Sequence, residues 1–127
     1  MKVLIVDDSN LLLVKLMRHL GENYNVDSAV NGREGLDAFY LAHKEKDPYD
    51  IILLDLDMPT MRGEQTLHAI RSYEDNLGIS NVKVIIISAN HDSNKILELF
   101  KIGCEYYIRK PFNKKDLEKA IQFVFSH

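Results

Sequence analysis

Short unbroken apolar runs alternate along the chain with longer stretches in which apolar residues recur every three to four positions. The runs Val3-Leu4-Ile5-Val6, Ile51-Ile52-Leu53-Leu54 and Val84-Ile85-Ile86-Ile87 contain no polar interruption. Runs of this kind suit strands buried on both faces, as in a parallel sheet. They predict strands over 2–6, 49–54 and 83–88. A more polar segment at 25–30 predicts a strand near a sheet edge, and 106–109 a short final strand ended by Lys110-Pro111.

Helical spacing fills the intervals. Ser9 or Asn10 can cap a first helix carrying Leu13, Leu16, Met17 and Leu20, with Gly21 as its end. Asn31-Gly32 is turn chemistry, and 32–46 predicts a helix with Leu36, Phe39 and His43 on one face, broken by Asp47-Pro48. A third helix over 64–76 places Leu67, Ile70 and Arg71 in register, followed by a turn at 78–81. Asp92 or Ser93 caps a fourth, carrying Ile96, Leu97 and Phe100 and closing near Gly103. Asn113 caps the last, whose stripe is Leu117, Ala120, Ile121 and Val124, with Phe123 and Phe125 lying off it as terminal aromatics or a partner surface.

Strand followed by helix, repeated about five times, argues for an α/β fold with a doubly wound parallel sheet and right-handed crossovers that place helices on both faces. No linker, repeat or low-complexity tract interrupts it. At 127 residues and 46% hydrophobic, the chain is expected to form one domain over 1–127 with no effector domain.

This topology changes the meaning of the residues that end the strands. The first strand runs into Asp7 and Asp8, the third into Asp55, the fourth into Ser88 and the fifth into Lys110. Parallel strands bring all of these to one sheet edge, where open α/β sheets bind ligands. Pro59, which lacks a ladder N–H, ends the segment that follows Asp55. Two like charges about 4 Å apart repel by about 4 kcal/mol at an effective dielectric near 20. Grouped carboxylates therefore call for a cation, and hard oxygen ligands beside a phosphate suit Mg²⁺. A carboxylate flanked by Mg²⁺, a lysine and a hydroxyl is equipped to accept a phosphoryl group as an aspartyl phosphate.

These pieces resemble a response-regulator receiver domain of two-component signalling over the whole chain. The matching residues are Val6-Asp7-Asp8, Asp55-Leu56-Asp57-Met58-Pro59, Gly63, Ser88-Ala89 and Lys110-Pro111-Phe112. The resemblance implies a flavodoxin-like five-stranded sheet in the order 2-1-3-4-5 with about five helices. It implies that Asp55 is the phosphoacceptor and Asp8 a direct Mg²⁺ ligand. Asp7 then helps, often through water, and the Asp57 backbone carbonyl completes the set. Lys110 pairs with the phosphoryl group, Ser88 moves toward it, and Tyr107, three residues before Lys110, is the rotating aromatic. A cis bond joins Lys110 to Pro111. The implied partners are a sensor histidine kinase or phosphotransfer protein, and a protein target on the face made by the fourth helix, fifth strand and fifth helix. The chain is expected to be a monomer or weak dimer that catalyses only its own phosphorylation and dephosphorylation. Asp57 adds a fourth acid near the site, with an expected influence on phosphoryl lifetime, and Tyr106 places a second aromatic beside Tyr107.

Two other readings use the same residues. Asp55-x-Asp57 with Ser88, Lys110 and Asp7-Asp8 also resembles a haloacid-dehalogenase-type phosphatase, with Asp57 as acid/base. In that family, however, the aspartate pair comes last, and this chain lacks room for a cap domain. A flavin-binding module requires a neutral Ser-, Thr- or Gly-rich phosphate loop, which Asp7-Asp8 contradicts.

Bulk properties remove further classes. A net charge of −3 argues against direct nucleic-acid binding. Short apolar runs ending in charges exclude a transmembrane helix and a signal peptide, so the expected location is the cytoplasm. The single cysteine, Cys104, excludes an internal disulfide and reads as a small buried thiol. The five histidines show no metal-ligand spacing, and most are expected at the surface.

Overall fold

A computed structural model describes residues 1–56, 58, 61–90 and 92–126. Five strands and five helices alternate: β1 Lys2–Val6, α1 Asn10–Leu20, β2 Asn25–Ala29, α2 Gly32–Lys44, β3 Ile51–Asp55, α3 Gly63–Leu77, β4 Lys83–Ser88, α4 Ser93–Ile102, β5 Tyr106–Arg109 and α5 Lys114–Ser126. The strands form one parallel sheet in the order β2-β1-β3-β4-β5. The polar strand β2 lies at an edge, where only one side needs a ladder partner.

Alternation along the central strands sorts their side chains between two cores. Leu4, Val6, Ile52, Leu54, Val84 and Ile86 face α2, α3 and α4, where Leu36, Phe39, Leu67, Ile70 and Leu99 meet them. Val3, Ile5, Ile51, Leu53, Ile85 and Ile87 face α1 and α5, covered by Leu13, Leu16, Leu117 and Ile121. With both faces covered, β1, β3 and β4 carry apolar residues at successive positions, which is why they read as unbroken runs.

Caps set the helix starts. Ser9 Oγ accepts from Leu12 N, Asn31 Oδ1 from Glu34 N, and Asp92 Oδ1 from Asn94 N. Asn113 and Asp116 exchange side-chain-to-backbone bonds at the start of α5. The α3 C-terminus closes on Gly78 at φ 63°, a left-handed conformation that glycine adopts without Cβ strain.

Three assignments from periodicity are corrected. Met17 is largely exposed on α1. On α4, Leu97 and Phe100 are exposed and Ile96 is half-buried, whereas Leu99 is fully buried. A short helix with apolar residues at 96, 97, 99, 100 and 102 has no single stripe in sequence, so the contact with the sheet decides which residue is core. Of the described histidines, His68 is exposed while His19 and His43 are half-buried, the latter edge-on to Phe39 at 4.9 Å. Cys104 is buried as expected, and burial pushes its thiol up to about 12.

Arg71, in register with the apolar face of α3, is buried for a polar reason. Its guanidinium donates to Gly103 O (3.0 Å from Nε, 2.7 Å from Nη2), to Val82 O at 2.9 Å, and to Glu74 and Glu105. Glu74 in turn accepts from Val82 N and Glu105 from Val84 N. The network ties α3 to the start of β4 and the α4–β5 turn, at the sheet end opposite the strand-end acids. Among the described residues no helix is long and apolar enough to cross a membrane.

Candidate functional site

Parallel pairing brings the carboxyl ends of β1, β3, β4 and β5 together, and the register makes the alignment close. Asp55 is the last residue of β3, opposite Ile87, and Ser88 ends β4 opposite Arg109. Asp7 follows β1 directly; its N–H donates to Ala29 O at 3.0 Å and its Oδ1 accepts from Ser9 N at 2.8 Å. Lys110 follows β5, with its N–H donating to Ser88 O at 2.9 Å. The structure therefore brings Asp7, Asp8, Asp55, Ser88 and Lys110 to one edge.

Asp7, Asp55 and Ser88 are buried, at 2%, 3% and 0% exposure, whereas Asp8 is exposed. One oxygen from each of Asp7, Asp8 and Asp55 lies within 4.8 Å of the other two. Lys110 Nζ donates to Asp55 Oδ1 at 3.2 Å and lies 3.7 Å from Asp7 Oδ2. Burial raises the Asp7 carboxyl above the ordinary aspartate value, outweighing the Ser9 amide and the Lys110 charge, while Asp8 adds a like charge. Among the described residues one ammonium faces three carboxylates, which leaves the cluster short of positive charge. Its donors are hard, oxygen-only and partly open to water, a set that fits a divalent cation of the Mg²⁺ kind. The Asp57 carbonyl expected among the ligands, the Asp57 side chain and Pro59 lie outside the described residues.

Gly63 shapes the floor of the site. A Cβ there would stand 2.7 Å from Leu56 Cα and 2.8 Å from Asp55 O, and its N–H donates to Leu56 O at 3.0 Å. Only a residue without a side chain lets the start of α3 come this close to the end of β3. The Lys110–Pro111 bond is cis, as the resemblance implied.

Ser88 and Tyr107 meet at a third residue that the sequence reading did not single out. Asn90 N donates to Ser88 Oγ at 3.0 Å, and Tyr107 Oη donates to Asn90 O at 2.8 Å. The signal available in sequence was the polar alternation Ser88-x-Asn90-x-Asp92-x-Asn94, where each side chain can reach the backbone two residues on. A cleft of roughly 600 Å³ opens beside the acids, lined by Asp8, Met58, Arg62, Glu64, Asn90, Asp92 and Lys95.

With this geometry in place, comparisons with known proteins agree on one kind of domain. A family model described as the response regulator receiver domain matches residues 3–122. Response regulator ArlR of Staphylococcus aureus is 33% identical over 124 residues, covering 97% of this chain and 52% of its own length. Hybrid signal transduction histidine kinase L of Dictyostelium discoideum is 32% identical over 95% of the chain, which corresponds to 7% of that protein. The chain thus spans about half the length of the curated response regulators it matches, and far less of the hybrid kinase. Among solved structures, chemotaxis protein CheY4 of Vibrio cholerae superimposes with a TM-score of 0.79 at 30% identity, covering 95% of both chains. A chain of the CheX–CheY–BeF3–Mg²⁺ complex of Borrelia burgdorferi gives 0.86 at 28% identity, covering 98% of this chain and 88% of its own.

Proposed function

The chain belongs to the response regulator receiver domain family, and from that premise we propose that Asp55 accepts a phosphoryl group from a phosphohistidine on a sensor kinase or phosphotransfer protein. The observation that carries this reading is the placement of Asp55 between Lys110 Nζ, 3.2 Å from its Oδ1, and the acids Asp7 and Asp8. An Asp55 carboxylate oxygen forms the new bond to phosphorus, and the bond from phosphorus to the donor nitrogen breaks. Lys110, which already faces Asp55 and Asp7, gains a further anionic partner when the phosphoryl oxygens arrive and stabilises charge developing on them. Asp8 and Asp55, with the Asp57 carbonyl and with Asp7 through water, would hold Mg²⁺. When bound, that ion neutralises phosphoryl charge during in-line transfer.

The consequence is a switch. The phosphoryl group adds about −1.5 to −2 charges and three strong acceptors. Ser88 ends the neighbouring strand and can donate to one of them, drawing the segment after it toward the site. Moving a two-state equilibrium from 1:99 to 99:1 takes about 5.5 kcal/mol of differential interaction. One hydrogen bond to a charged group supplies about 1.5–3 kcal/mol, so the Lys110 contact must share in the shift. Tyr107 reports the change on the face formed by α4, β5 and α5. Leu97 and Phe100 are exposed on α4 and Phe123 on α5, where it rests against Tyr106 of β5 at 5.1 Å. This face is the surface offered to a downstream protein by a monomeric or weakly dimeric cytoplasmic domain. The phosphatase alternative draws no support from the family matches.

The test is mass spectrometry after incubation with acetyl phosphate and Mg²⁺. The parent should gain one phosphoryl group at Asp55 and Asp55→Asn should not. An adduct of equal extent in the variant overturns the assignment.

A further inference from the structure

Helix α4 is held to the body of the protein unequally at its two ends. At the C-terminal end Leu99 is fully buried, and Arg71 binds the Gly103 carbonyl through two nitrogens. At the N-terminal end Ser93 and Asn94 are exposed and Lys95 and Ile96 are half-buried. There Lys95 Nζ pairs with Glu64 Oε2 on the first turn of α3. Both side chains are mostly shielded, at 25% and 19% exposure. The pair spans the cleft that Asp8, Met58 and Asn90 also line.

Ser88, Asn90, Asp92 and Asn94 are linked by a staircase of bonds two residues apart. Asn90 N donates to Ser88 Oγ, Asp92 N to Asn90 Oδ1 at 2.8 Å, and Asn94 N to Asp92 Oδ1 at 3.0 Å. Tyr107 holds the same segment through Asn90 O. Displacement of the Ser88 hydroxyl is thereby carried step by step to the residue before Lys95. The far end of α4 is pinned by Arg71, so the near end is the one free to yield, and among the described residues the ion pair that restrains it there is the bond to Glu64.

We infer that Glu64 and Lys95 form a latch across the mouth of the site, holding the start of α4 against α3 and opposing the shift that phosphorylation of Asp55 drives. The inference rests on the phosphoacceptor reading above. The two residues are positioning residues, acting on the start of α4 through their pair with each other. A partly shielded ion pair of this kind changes an equilibrium by roughly two- to fivefold.

The experiment uses the full chain, with beryllofluoride and Mg²⁺ as the phosphoryl mimic and backbone amide NMR as the readout. The variants are Glu64→Gln, Lys95→Met and the double exchange Glu64→Lys with Lys95→Glu. Without the mimic, either single variant should displace the amides of residues 88–96 along the direction the mimic produces in the parent. Half-saturation with the mimic should fall by roughly two- to fivefold, and the exchange should return both readouts toward the parent. A purely structural role would alter thermal stability without moving the amides along that direction or the half-saturation. If the parent responds to the mimic and the single variants match it, or the exchange fails to restore them, the latch is overturned. A parent that does not respond at all overturns the phosphoacceptor reading and the latch together.

Discussion

The Tyr107 hydroxyl donates to the Asn90 backbone carbonyl at 2.8 Å, while the Asn90 N–H donates to Ser88 Oγ. One residue of the β4–α4 segment thus joins the hydroxyl at the strand end to the aromatic on β5. This arrangement predicts that Ser88→Ala and Tyr107→Ala still accept phosphate on Asp55 but lose the phosphate-dependent change in partner binding. Partner pulldown with and without a phosphoryl mimic is the check. Two variants that respond like the parent would send the signal by another route. Tyr107→Phe, which keeps the ring and deletes the donor, separates the hydrogen bond from the packing.

Cation dependence follows from the charge imbalance at Asp7, Asp8 and Asp55. Excess EDTA should stop labelling by acetyl phosphate while circular dichroism remains unchanged. Asp8→Asn should raise the Mg²⁺ concentration needed for half-maximal labelling by tenfold or more, roughly the 1.4 kcal/mol expected of one charge-assisted contact. Undiminished labelling in EDTA would refute the metal requirement.

Arg71 provides a stability prediction away from the chemistry. Arg71→Met leaves the buried Glu74 carboxylate without its cation and leaves the Gly103 and Val82 carbonyls without a donor. Removing one partner of a buried charge pair costs about 3–5 kcal/mol. Urea denaturation should show a loss of that size, and a loss under about 1 kcal/mol would mean the acids are satisfied without Arg71.

Cys104 titrates far above an ordinary thiol because it is buried, with Glu105 adding a like charge. The folded value, about 12, exceeds the ordinary 9.0. The thiol's contribution to stability is therefore fully present below the ordinary value and is lost as pH rises through the folded one. Relative to Cys104→Ala, the parent should lose stability progressively from pH 9 toward pH 12 in denaturation curves. At neutral pH its reaction with a disulfide reagent should be slow and limited by unfolding. Rapid stoichiometric reaction of the folded protein would contradict this.

Much of the protein was legible in one dimension. Runs such as Ile51-Ile52-Leu53-Leu54 announce doubly buried strands because covering both faces removes the need for polar alternation. Once strands alternate with helices, their ends share an edge, so Asp7, Asp8, Asp55, Ser88 and Lys110 could be grouped before any distance was known. Tertiary structure alone decided the rest. Which of Ile96, Leu97, Leu99 and Phe100 enters the core depends on how α4 lies against its neighbours, and Leu99 does. Arg71 reads as one more in-register position until α3, β4 and the α4–β5 turn bring Glu74, Glu105 and the carbonyls of Val82 and Gly103 around it. The Glu64–Lys95 pair joins residues 31 apart in sequence through the mutual placement of two helix N-termini. Hydrophobic period records how much of an element is covered; a contact between particular side chains depends on the three-dimensional docking of elements, which no local pattern encodes.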